Sequence, residues 1–164
     1  FVPVSSRVSS AVLNVPGAGL SNVVMSSNLQ DLIGLLLVGQ TELAFDSPEY
    51  VASFPLFRAV AQPLFDPGDP INLAAALKPE VAVLLQAGRN DLTIPNDTSV
   101  DLAGALKLRP DNGAHTFALI EPAKYLPAAQ VPAYNGHNVV WDFVPVREQA
   151  MRFLESDGQT LLAP

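Results

Sequence analysis

The chain has 164 residues, 49% of them hydrophobic, and no cysteine, which supplies material for a core and argues against both disorder and disulfide or thiol chemistry. Nine basic residues against 16 acidic ones leave a net charge of −7. That balance speaks against a nucleic-acid or anionic-membrane surface, since both need clustered Lys and Arg. The length fits one domain or part of a larger one. The opening Phe1-Val2-Pro3 carries neither methionine nor a basic leader, so the chain is expected to be the interior of a longer polypeptide. Its longest apolar run, Leu32 to Gly39, falls well short of the roughly 20 residues a spanning helix needs.

After a serine-rich start, Ala11 to Val15 reads as a strand ended by Pro16-Gly17-Ala18-Gly19. Residues 21–64 show no strand pattern. A helix is expected from Ser27 or Asn28 through Leu29, Leu32, Ile33, Leu36, Leu37 and Gln40. A second should start at Asp46-Ser47-Pro48-Glu49, with Asp46 as cap and proline in the first turn, and a third short one should cover Leu56 to Gln62. Phe65 to Pro70 is a turn, and Ile71 to Leu77 a short helix.

Val81 to Gln86 is a second strand, almost wholly apolar, as suits a parallel strand covered on both faces. Thr98-Ser99-Val100-Asp101 has capping-box spacing before a helix carrying Leu102, Ala105 and Leu106. Thr116 to Ile120 is the third strand, followed by a proline-rich connection from Glu121 to Gly136. Pro145 opens a last amphipathic helix with Val146, Ala150, Phe153 and Leu154 on one face, and Gly158 ends it. Strands alternating with helices indicate an α/β fold with a parallel sheet.

Function in such sheets collects at the carboxyl ends of the strands. Asp91 lies a few residues past the second strand, and His137 sits in a small polar turn, Asn135-Gly136-His137, past the third. Adjacent parallel strands would bring both to one edge. There the acid can hold one imidazole nitrogen and leave the other free to accept a proton. The plainer alternatives are a turn or capping aspartate and a surface histidine. His115 stands at the opposite end of the third strand and reads as surface or structural. Asp97 and Asp101 fit helix-start acids, and Asp66 and Asp69 fit turn chemistry, with positioning of a lid as a further role.

AVLNVPGAG, LLQAGRNDLTIPN and NGH before a terminal helix together resemble the later half of an α/β-hydrolase of the bacterial lipase and esterase kind, over nearly the whole chain. That family's order is nucleophile, acid, histidine. The resemblance implies that Asp91 is the acid, that His137 is the histidine and that residues 21–64 are a helical cap inserted in one domain spanning 1–164. Leu35, Leu36, Phe54, Leu56 and Phe57 would form an acyl pocket in that cap, or ordinary helix packing. The chain departs from the family in having no G-x-S-x-G. Gly17-Ala18-Gly19-Leu20-Ser21 places its serine wrongly and is not expected to lie between strand and helix.

The expectation is therefore a carboxylic ester hydrolase acting on a small ester or lipid, with no metal or organic cofactor. This chain supplies Asp91 and His137, and the nucleophile serine comes from an N-terminal half. Resemblance to bacterial lipases tilts the setting toward secreted or cell-envelope, although the missing cysteine fits a cytosolic protein as well. Rival readings are another α/β-hydrolase chemistry (peptidase, dehalogenase, epoxide hydrolase) or a non-catalytic binding domain.

Overall fold

The structure is a computed structural model that describes residues 7–28, 30, 34, 47–110 and 112–164. Three parallel strands, β1 (Ser10–Asn14), β2 (Ala82–Gly88) and β3 (His115–Ile120), lie side by side in chain order. Val12 pairs with Leu84, and Leu84 with Thr116.

Every residue of the central strand β2 is buried. The period-two alternation of a strand then decides which helix each one meets. Val83, Leu85 and Ala87 join a core with Leu102, Ala103 and Leu106 from the helix α5 (Asn96–Ala105). Ala82 and Leu84 face the other way, against Phe153 of the terminal helix α7 (Val144–Glu155). Gln86 points to that same side. Its amide donates to the Val146 carbonyl at 3.0 Å and to Gln149 Oε1 at 2.7 Å, which satisfies the donor end of a polar group inside the core. At the end of α7, Gly158 (φ 78) donates back to the Phe153 carbonyl at 2.8 Å, and a side chain there would collide with Ala82.

Between β1 and β2 the described residues are helical: α1 (Leu20–Ser26), α2 (Pro48–Ala52), α3 (Phe54–Phe65) and α4 (Pro70–Leu73). Sequence reasoning missed α1, which starts directly after the β1 turn. Of the helix expected from Ser27 or Asn28 through Gln40, only Ser27, Asn28, Gln30 and Gly34 are among the described residues; the rest, with Leu35 and Leu36, lies outside them, as does Asp46. The cap of α2 is Ser47, whose side chain accepts from the Tyr50 amide at 3.1 Å. Leu56 does not bury itself toward a pocket: it is 68% exposed, and Val60 and Leu64 one and two turns on are exposed with it.

The Thr98–Asp101 capping box also gives way. α5 begins at Asn96, because the Pro95 carbonyl already accepts from Thr98 N–H and from its hydroxyl at 2.7 Å. Ser99 instead donates its hydroxyl to Pro16 at 2.6 Å, tying α5 to the turn after β1. Asp97 does stand in the first turn, whereas Asp101 lies mid-helix and exposed. No described helix is long and apolar enough to cross a membrane.

Candidate active site

The buried run of β2 ends at Gly88 because the chain there passes against the loop that carries His137. A Cβ on Gly136 would stand 2.6 Å from the Gly88 carbonyl oxygen, and one on Gly88 would strike the Gly136 backbone in turn. Only two glycines let these backbones touch. Gly136 N–H donates to the Asn90 carbonyl at 3.0 Å across the same contact.

The turn after β2 is shaped by Asn96, the first residue of α5. Its amide donates to the Gly88 carbonyl at 2.7 Å, and its Oδ1 accepts from Asn90 N–H at 3.1 Å. Asn90 itself is left-handed (φ 59), a conformation asparagine tolerates better than most residues. The chain is thereby turned so that the Asp91 side chain points inward, with 1% of it exposed.

The two oxygens of that carboxylate have separate duties. Oδ1 accepts from Thr93 N–H at 2.9 Å and Ile94 N–H at 2.7 Å, a local turn that locks the rotamer. Oδ2 stands 3.1 Å from His137 Nδ1. A carboxylate can only accept, so the neutral imidazole must carry its proton on Nδ1 and expose a lone pair on Nε2. The ring is 34% exposed, and Nε2 has no hydrogen-bond partner among the described residues. The pair is thus a fixed acid holding a partly exposed histidine whose second ring nitrogen has no described partner.

Asn135 joins the two loops. Its Oδ1 accepts from Leu92 N–H at 3.0 Å and from His137 N–H at 3.1 Å, so one side chain spans from the acid turn to the histidine turn. Sequence reasoning saw Asn135 only as part of a polar turn. Its bridging role needed the second loop to be in place. Next to the Gly88 contact, Arg89 Nε donates to both oxygens of Glu121, at 2.7 and 2.8 Å, in an exposed ion pair. The block after β1 also reaches the site, since Asn28 N–H donates to the Leu92 carbonyl at 2.8 Å.

The other sequence candidates lie elsewhere. His115 is the first residue of β3, at the far edge of the sheet from Asp91. Asp69 caps α4, as turn chemistry suggested, but it is also fully buried. Its carboxylate accepts from Gly19 N–H at 3.0 Å, Leu20 N–H at 2.8 Å, Ile71 N–H at 3.1 Å and the Gln62 amide at 2.9 Å. Burial pushes its pKa up, but these four donors outweigh burial and hold it below the usual carboxylate value.

Ser21 lies inside the first turn of α1, past the turn that follows β1, and not at a junction of strand and helix. It is buried, and its hydroxyl donates to Gln62 Oε1 at 2.6 Å. Before it the turn is strained: Val15 has φ 42, a rare conformation for a β-branched residue. Its N–H donates to the Gln86 carbonyl at 2.7 Å, and its side chain packs near Ile120 and Val139. The described residues contain no cluster of three or more His, Cys, Asp or Glu that could hold a metal. Comparison with protein-family models, curated proteins and solved structures returns no match for this chain.

Proposed function

We propose that this chain is the carboxyl-terminal part of an α/β-hydrolase that cleaves carboxylic esters, contributing the acid and the histidine of a serine triad. The observation that carries the reading is the Asp91–His137 bond of 3.1 Å at the carboxyl edge of a parallel sheet, with the second carboxylate oxygen fixed by two backbone amides. Two further features support it. The strands run parallel in chain order, with a helical block between the first and second, the place of a cap. β1 has no described strand on its outer side, although Val12 and Leu13 pack into the cores on the two faces. An apolar strand with one open edge calls for a partner, and we assign that place to the strand that carries the nucleophile.

The chemistry follows from the tautomer. His137 Nε2 takes the proton of the serine hydroxyl as its oxygen attacks the acyl carbon, and Asp91 stabilises the imidazolium that forms. Collapse of the tetrahedral intermediate breaks the ester C–O bond, and Nε2 returns the proton to the leaving alcohol. Water then repeats the sequence on the acyl-enzyme and releases the carboxylic acid.

The test is made on the intact protein, with the segment that pairs with β1. A fluorophosphonate should label one serine, and short-chain esters should be hydrolysed. His137→Ala should abolish both. Asp91→Asn, which swaps an acceptor for a group that favours the wrong tautomer, should lower turnover by about 10³–10⁴. An intact protein that neither labels nor hydrolyses, while remaining folded, would mean a non-catalytic binding domain. Labelling on an aspartate by an alkyl halide or epoxide would move the chemistry to those substrates.

A further inference from the structure

The edge of the sheet opposite Asp91 holds a second cleft, of about 420 Å³. Its apolar wall comes from Leu77, Ala105 and Leu106, and its polar groups are Lys78, Lys107, Asn112 and His115. The cleft is half open to solvent and carries apolar and polar groups side by side, the mixture that a small amphiphilic molecule would meet. The charge is atypical for this protein. A chain of net charge −7 has only nine Lys and Arg, yet two of them line this cleft, and no acidic side chain among the described residues does. Neither lysine forms an ion pair with a described carboxylate.

The placement of Lys107 is itself unusual. It follows α5 in the left-handed conformation (φ 58), while Leu108 N–H closes back on the Ala103 carbonyl at 2.9 Å. Glycine is the usual residue in that position, and L side chains rarely adopt its backbone conformation. Lys78 comes from the separate turn that leads into β2, and His115 opens β3. Three chain segments thus bring cationic or proton-bearing groups to one apolar wall. There is no Arg fork and no glycine-rich turn of the kind that grips phosphate.

We propose that this cleft binds a small carboxylate with a short apolar tail, its head between Lys78, Lys107 and His115 and its tail on Leu77 and Leu106. The site is separated from Asp91 by the length of β2, about 20 Å for seven residues, and it does not depend on the esterase reading.

The two histidines of the sequence provide a reporter at each edge. Ring resonances of His115 and His137 are followed in the intact protein by NMR, at fixed pH and ionic strength, during titration with hexanoate. His115 should shift saturably, with a midpoint of its own, distinct from that of any shift at His137, where products of the proposed reaction would also bind. Hexanol should leave His115 unmoved, and inorganic phosphate should bind there at least tenfold more weakly than hexanoate. Lys78→Gln with Lys107→Gln should weaken hexanoate at least tenfold, the unchanged His137 signal showing that the fold survives. The proposal is overturned if His115 does not respond, if the double variant binds as well, or if hexanol acts like hexanoate. Phosphate binding as tightly as hexanoate also overturns it, because the apolar wall would then have no part.

Discussion

Replacing Gly136 by alanine tests whether backbone contact sets the Asp91–His137 geometry. The new Cβ would stand 2.3 Å from the Arg89 carbonyl oxygen and 2.6 Å from the Gly88 oxygen, where ordinary contact begins at 3.4 Å. The loop must therefore retreat by roughly 1.1 Å, the shortfall at the closer of the two contacts. If that retreat falls along the acid–histidine axis, the 3.1 Å separation opens to about 4.2 Å, beyond hydrogen-bonding range. Overpacking of this kind costs about 1–3 kcal/mol, and a displacement near 1 Å can cost on the order of 10² in rate. Two measurements follow in the intact protein: the downfield Nδ1–H proton of His137, and the rate of fluorophosphonate labelling. Gly136→Ala should lose the resonance and slow labelling about a hundredfold. Gly104→Ala is the control, because a Cβ there meets nothing within 4 Å; it should label normally and gain about 0.5–1 kcal/mol from helix propensity. If Gly136→Ala keeps the resonance and labels within threefold of the parent, the two loops are positioned by something other than this contact.

Asp69→Asn keeps the volume but turns an acceptor into a donor facing N–H groups, and should cost about 2–4 kcal/mol in urea unfolding; a loss under about 0.5 kcal/mol would show that the four bonds carry little. Because the native pKa of Asp69 lies below its ordinary 3.8, its contribution is complete above that pH and is lost as pH falls through the lower native value, so Asp69→Asn should flatten the acid limb of the stability curve. Asn135→Ala removes the acceptor shared by Leu92 and His137, two hydrogen bonds worth about 1 kcal/mol each, and should slow labelling at least about tenfold, while Asn135→Asp should restore it; equal rates in both variants would remove Asn135 from positioning. Ser21→Ala deletes only the bond to Gln62 and should cost about 1 kcal/mol with labelling unchanged; loss of labelling would make Ser21 the nucleophile.

Much of the scaffold was legible in the residue order. Apolar-rich runs located all three strands to within two residues, the central one most clearly because it alone is buried along its whole length. Asp91 and His137 stood out because each follows a strand, and parallel strands put such loops at one edge. The expected Thr98–Asp101 capping box failed for two reasons: the Pro95 carbonyl one turn earlier takes the Thr98 hydroxyl, and the distant Pro16 carbonyl takes that of Ser99. The exposure of Leu56 could not be read from its hydrophobicity, since which side of a helix is covered depends on what packs there.

Tertiary structure alone decided how the pair is held. Gly88 and Gly136 are 48 positions apart, and nothing in either neighbourhood announces that their backbones meet. The same is true of Asn135 reaching Leu92, of Asp69 receiving amides from Gly19 and Leu20, and of Lys78, Lys107 and His115 gathering around one wall. A residue's type and its immediate neighbours dictate what it can donate, accept or bury. Which partner it meets depends on the register and packing of segments distant in sequence, and those are set only when the sheet and its covering helices close together.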